Sequence, residues 1–456
     1  MPINMPSADV RVFTALPRKQ PSGSIACVVG RELQVDPDVL ANYCFNDLTP
    51  LAFDLALVAS AVAFTDRIVP RTLSTGWVRQ LRLSLPVSSE RWRRLDVRNR
   101  LLDTLHLLTG DSWDIRFRFV KSASRKSAQS VLQFQHPNAV AMPYSDGLDS
   151  FAVARLFQHS QDAAGQTLIL VTTGARTDVD QGHAKGRVRV AVPFQFSEAR
   201  SGIRLREPSY RSRAFVYGAL AGLAVNLAGG TRVLIPESGQ SSLGPALCPV
   251  GGEALDLRSH PRFTKALADF LSCLLEAPIA FEHPHLWSTK GETLAGLSSR
   301  GLADRWQRTR SCPRSTRHVR LRGMKVHCGV CAACLLRRQS LLRAGLCDLE
   351  PYQWPLLNAP TLAEAAAESA RPTNEDDFRH AACGALCMND LANIANEPDE
   401  LSLRQAVSDM PTNFGTREQL MQNLRRLVGA HHTEWCAFVA AQGDRSYLHK
   451  VIGRAS

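Results

Sequence analysis

The chain has 456 residues, of which 21% are charged and 45% hydrophobic, with a net charge of +12. It is too apolar to be generally disordered, and its length suits roughly three domains of ~150 residues each. The two most apolar stretches, Leu51–Phe64 and Ala214–Val225, fall short of the ~20 residues that cross a bilayer, and Met1–Val12 has no signal-like apolar region. A cytoplasmic protein with no membrane partner is therefore expected. Four of the twelve cysteines crowd into Cys312–Cys334, which points to a reducing compartment and a metal more than to disulfides.

Residues 1–135 read as a separate α+β unit of unknown role. Thr49-Pro50 supplies an N-cap and a first-turn proline for a helix over Leu51–Phe64. The alternation in Trp77–Leu85 and Trp113–Val120 predicts two half-buried strands, and the polar Lys121–Ser127 before Val131–Phe134 predicts a hairpin. No catalytic motif stands out in this part.

From 136 to 300 the pattern becomes strand, loop, helix, repeated. Ala139–Tyr144, Thr167–Thr172, Arg187–Phe196 and Thr231–Ile235 are expected strands, while Phe151–Gln158 and Ala214–Leu227 are expected helices. Alternating β and α predicts an α/β domain with a parallel sheet. Residues 301–350 carry the cysteine element, and 351–456 read as a helical extension.

The stretch AVAMPY-SDGLDS-FAVARLF is an apolar strand, a short polar turn with glycine, and an amphipathic helix. That order delivers backbone N–H groups and a helix N-terminus to one point, which suits an anion. Ser145 and Ser150 can add hydroxyls, and Asp149, repelled by phosphate, makes sense as a magnesium ligand. No Gly-Lys dipeptide occurs, so a Walker-type phosphate loop is excluded.

Cys312, Cys328, Cys331 and Cys334 are spaced C-x15-C-x2-C-x2-C. Four thiolates suit tetrahedral zinc and leave no open position, so the expected metal is structural. Cys383 and Cys387, with His380, are expected on a buried helix face, not around a metal.

SDGLDS resembles the S-G-G-x-D-S signature of the PP-loop ATPases, with Asp146 where that family usually has glycine. Followed by the cysteine cluster, it is similar to the 7-cyano-7-deazaguanine synthase family (QueC/ExsB type). Ser311-Cys312, Cys328-Gly329, Cys331, Cys334 and Arg337 match that family's ending. Tyr210-Arg211-Ser212 with Phe215 resembles its P-x-R-N-x-x-F helix start, and Thr289-Lys290-Gly291-Glu292 its T-K-x-E. Pro236–Gly239 with Ser242-Leu243 resembles the P-E-N-G…S-L stretch of related PP-loop proteins. The likeness spans about Asn138 to Leu346. With its long N-terminal part and helical tail, the chain looks like the QueC-like component of the Qat anti-phage defence systems, QatC.

The resemblance implies a PP-loop (adenine nucleotide alpha hydrolase-like) domain, closed by a zinc-stabilised C-terminal element. It implies ATP, Mg2+ and Zn2+ as cofactors. A 7-deazaguanine-type carboxylate would attack the α-phosphate of ATP, giving an acyl-adenylate and pyrophosphate, with ammonia or a protein amine as acceptor. Tyr144, Ser145, Asp146, Gly147, Leu148, Asp149 and Ser150 would hold pyrophosphate and magnesium, and Thr172 and Thr173 the adenosine. Arg211 and Lys290 would supply charge to the phosphates, and Glu237 would lie near the substrate. Protein partners from a defence operon are expected. The alternatives are an inactive PP-loop subunit that senses nucleotide or acts as a scaffold, and an RNA-modifying PP-loop enzyme.

Arg300–Gly345 holds twelve Lys/Arg against one acid, Asp304, whereas Thr361–Glu400 holds nine acids against Arg371 and Arg379. The basic run should face something anionic, and the bland alternative is that the two segments neutralise each other. Service to nucleotide binding and internal packing is favoured over RNA binding.

Overall fold

The computed structural model describes residues 5–19, 22–40, 49–71, 77–121, 138–174, 187–198, 203–249, 251–314 and 318–453. Its contacts divide the chain into two compact units that interleave along the sequence. One is Met1–Tyr144 with Ser160–Ile235 and Pro249–Pro284; the other is Ser145–His159 with Pro236–Cys248 and His285–Ser456. No helix among the described residues is long and apolar enough to cross a membrane.

Among the described residues the first unit carries ten strands: β1 (Ser7–Phe13), β2 (Ile25–Val28), β3 (Leu33–Val35), β4 (Gln80–Val87), β5 (Ser112–Phe119), β6 (Ala139–Pro143), β7 (Thr167–Gly174), β8 (Arg187–Phe196), β9 (Arg232–Leu234) and β10 (Ala280–Glu282). Four of them form a wholly parallel sheet in the order β2-β1-β4-β5. The other six are ordered β10-β9-β6-β7-β8-β3, parallel except for β3, which runs antiparallel to β8. The α/β class with parallel sheets is as expected. The first 135 residues are not separate, because β3 completes the sheet built by residues 139–282. The expected hairpin over 121–134 lies almost wholly outside the described residues.

Local sequence accounts for these elements. In β6 four consecutive apolar residues, Ala139–Met142, are all buried, as a central parallel strand requires. In β4 it is Leu81, Leu83 and Leu85 that turn inward, the alternation of a strand with one wet face. The strand begins at Gln80, three residues later than the alternation suggests; Trp77 instead lies under the guanidinium groups of Arg71 and Arg211. The helix Pro50–Ile68 starts as read, with Thr49 Oγ1 accepting from the Ala52 amide at 3.2 Å, and it is buried nearly all round.

At the end of that helix lies a buried ionic knot. Fully buried Arg79 reaches Asp66 at 2.5 Å and Asp111 at 2.6 Å, and Arg71 reaches Asp111 at 2.6 Å. Asp66 also accepts from the amide (3.1 Å) and hydroxyl (2.6 Å) of Ser212, the N-cap of the helix Arg213–Leu227. A carboxylate there satisfies orphan donors and complements the helix dipole.

The second unit is mainly helical. Leu148, Ala152 and Leu156 of the helix Leu148–Gln158 pack with Leu294 and Leu297 of Lys290–Ser299, with Trp306, and with Leu341 of Ala332–Arg343. The extension after residue 350 is helical from Glu375 onward, and its helices Glu375–Asn393 and Arg417–Ala440 share a core with the four clustered cysteines. Cys383 and Cys387 are exposed, contrary to expectation. The buried stripe of their helix runs instead through Ala381, Gly384, Ala385 and Met388.

Candidate metal centre and strand–helix loop

Cys312, Cys328, Cys331 and Cys334 are buried and free of disulfides, and their sulfurs all lie within 4.8 Å of one another. Four metal–sulfur bonds of ~2.3 Å in a tetrahedron would set the sulfurs ~3.8 Å apart, and the Cys328–Cys334 pair stands at 3.7 Å. The four can hold a metal such as zinc. Hydrogen bonds among the four hold the Cys328 thiol far below its ordinary range and push those of Cys331 and Cys334 above it. Gly329 makes the first turn: its φ is +92°, and a Cβ would meet the Trp354 carbonyl at 2.6 Å.

The loop from Ser145 to Ser150 lies between the end of β6 and the helix that starts at Leu148. The hydroxyls of Ser145 and Ser150 are 3.1 Å apart, and the Ser145 amide points at the Ser150 Oγ at 3.4 Å. Leu148 is buried and anchors the turn. Gly147 is not required by its φ, which is −82°, and a Cβ there would press on Ser145 Oγ at 3.0 Å. Asp146 is exposed and is not among the residues with left-handed backbone, so the aspartate costs no turn strain.

Asp149 and Lys290 are brought together, Nζ to Oδ2 at 2.7 Å, with both side chains largely buried. The other carboxylate oxygen, Oδ1, is buried with no hydrogen-bond partner. A buried anionic oxygen left over in this way is costly unless a cation or donor completes it, so the residues fit a magnesium ligand. His285 is close enough to feel the Asp149 charge; burial pushes its imidazole down and Asp149 pulls it partly back up.

Lys290 is itself held by residues that no local motif marks. Thr289 caps its helix in a capping box with Glu292 and donates its hydroxyl to Glu434 at 2.5 Å. The Lys290 amide donates to Gln240 Oε1 at 2.8 Å, and the Gln240 amide nitrogen meets His431 Nδ1 at 2.7 Å. Gln339 bridges His431 and Glu434 at 3.4 and 3.3 Å. The T-x-x-E pattern announces the cap, and Glu434 follows His431 by three positions on one helix face. Their partners in this network lie more than ninety residues away, so only the fold reveals them.

The remaining expected site residues fall as follows. Glu237 is half-buried in the second unit, just before the helix Gly239–Leu247. Tyr144, Thr172, Thr173 and Arg211 belong to the first unit. There the Tyr144 amide donates to the Val171 carbonyl, and Thr172 and Thr173 lie in β7 near its C-terminal end. Arg211 is buried, donates to the Leu255 carbonyl at 2.7 Å, and lies 3.4 Å from Glu253. Its charge is thus engaged inside the first unit. Comparison with known proteins returned no matching family model and no matching curated protein.

Proposed function

We propose that this protein is an ATP-dependent adenylating enzyme of the PP-loop type, similar to the 7-cyano-7-deazaguanine synthases. The observation that carries the reading is the Asp149–Lys290 pair at 2.7 Å with Asp149 Oδ1 unpartnered, beside the paired hydroxyls of Ser145 and Ser150. In the reaction a carboxylate oxygen of a 7-deazaguanine-type acid bonds to the α-phosphorus of ATP. The bond to the β-phosphate breaks, and pyrophosphate leaves with the electron pair. Lys290 supplies positive charge to the phosphates, and the loop amides and serine hydroxyls orient them; positioning and charge stabilisation carry such chemistry. Magnesium, held through Asp149, would neutralise the departing charge. Zinc in the four-cysteine group is structural on this reading, with no coordination site open to substrate. The acyl-adenylate would pass to ammonia or to a protein amine, within a QatC-like anti-phage defence system in the cytoplasm.

The test is product analysis with labelled ATP, magnesium, a 7-deazaguanine carboxylate and ammonium as the acceptor. AMP and pyrophosphate are expected; ADP and phosphate, or no turnover, would overturn the reading.

A further inference from the structure

Internal contacts use only part of the basic segment. Arg314 pairs with Asp377, Arg337 with Glu350, Arg338 with Asp348 and Arg343 with Glu434. Arg308, Arg310 and Lys325 have no acidic partner among the described residues, and all three line one cavity of about 250 Å³. Thr309, the buried ring of His327 and Glu350 share its wall. Glu350 is the cavity's one acid, and it stands 3.4 Å from the buried Arg337.

Three like charges around one concavity repel one another, and low-dielectric walls focus their field on whatever enters. A ligand with a single negative charge would leave most of that field uncompensated. The cavity falls below the ~300 Å³ at which sites for drug-sized ligands begin, which favours a small anion. Guanidinium groups pair with phosphate oxygens in bidentate fashion, and lysine adds a point charge. We propose that this pocket binds a small inorganic polyphosphate, with pyrophosphate the member that suits its size and charge.

The pocket also has a link to the loop. The backbone amide of Arg310 donates to the Asp146 carbonyl at 2.7 Å, so one residue serves both the wall and the loop. Binding as such does not depend on the adenylation reading; if that reading holds, the ligand is the enzyme's own product.

The experiment is calorimetric titration of the full-length, metal-loaded protein with sodium pyrophosphate, without nucleotide or magnesium. One saturable site is expected. Arg308→Ala and Lys325→Ala, both at exposed side chains, should each weaken it at least tenfold with melting temperature and metal content unchanged. Orthophosphate should bind at least tenfold more weakly. The proposal is overturned if pyrophosphate does not saturate a site, or if the Arg308→Ala/Lys325→Ala double variant binds as tightly as the parent. Loss of binding in Lys290→Ala but not in the pocket variants would place the anion at the loop and also overturn it. So would an RNA oligonucleotide that depends on Arg308 and Lys325 when pyrophosphate does not. ATP cleavage without pyrophosphate binding would remove the pocket and leave the enzyme; binding without cleavage would do the reverse.

Discussion

The amide of Arg310 is hydrogen-bonded to the carbonyl of Asp146 at 2.7 Å, and Arg310 stands two residues before Cys312. The neighbouring chain is fixed by Arg337, three residues after Cys334, which gives Nη1 to the hydroxyls of Thr309 (2.8 Å) and Ser311 (3.2 Å). Closing the four cysteines on a metal therefore also fixes the strip that holds the loop.

Stripping the metal should accordingly loosen the loop as well as the cysteine core. One zinc per chain is expected. Metal binding supplies folding free energy, on the order of 10 kcal/mol in small metal-dependent domains. Chelation, or Cys331→Ser, should lower the melting temperature and increase amide exchange at Ser145–Ser150. A soluble Cys331→Ser variant with full thermal stability and no zinc would contradict this.

Asp149→Asn keeps the shape of the loop and withdraws the charge that meets Lys290. ATP cleavage should fall ~100-fold or more, the usual cost of a lost electrostatic contact at a reacting centre. Steady-state release of pyrophosphate measures it, and undiminished turnover would remove Asp149 from the proposed chemistry.

Glu434 reaches Lys290 through Thr289 and, by way of Gln339, His431 and Gln240, through the Lys290 amide, so its effect should depend on Lys290. In Glu434→Gln the turnover rate is expected to fall about tenfold, with a smaller change in KM for ATP. In a Lys290→Ala background the same substitution should add almost nothing, because residues acting in series are not additive. Additive losses in that double-mutant cycle would show Glu434 to be a packing residue alone.

The buried ionic knot should matter to stability and not to turnover. Asp111→Ala leaves Arg79 and Arg71 short of a counter-charge and is expected to cost about 3–5 kcal/mol. Burial alone would raise Asp66, but Arg79, Arg71 and the Ser212 hydroxyl outweigh it and hold the carboxyl below its ordinary range. A depressed carboxyl contributes stability that is complete above the unfolded value near ~4 and is lost as pH falls through the folded one. Denaturant titrations at decreasing pH measure both effects.

His431 adds a second acid-sensitive contribution. Burial pushes its imidazole down to about 4, with the Met388 carbonyl acting in the opposite sense. The unfolded chain then binds the proton first, so stability should fall as pH drops from ~6.5 toward 4, by at most ~1.4 kcal/mol per pH unit. His431→Asn should flatten that slope in a denaturation series, and an unchanged slope would place the sensitivity elsewhere.

Much of this was legible in the sequence because the relevant physics is local. The Thr49-Pro50 helix start, the buried run Ala139–Met142, the strand Arg187–Phe196 and the cysteine spacing each follow from neighbours a few positions apart. The pairing of Asp149 with Lys290 was approachable only through motif likeness, since 141 residues separate them. The parts that stayed hidden are long-range. Arg211 looks like a free cation in sequence but is engaged by Glu253 and Leu255, and Gln240, His431 and Glu434 look like ordinary helix residues.

The three residues of β3 close one flank of the six-stranded sheet, with Leu33, Gln34 and Val35 facing Phe196, Gln195 and Phe194. Being short and antiparallel, they occupy the hydrogen-bonding groups at one end of β8 that would otherwise invite another chain to add on. The N-terminal segment thus covers that end of the sheet's edge. A chain begun after Val35 would leave Phe194–Phe196 of β8 without a partner, a template for another chain to add on.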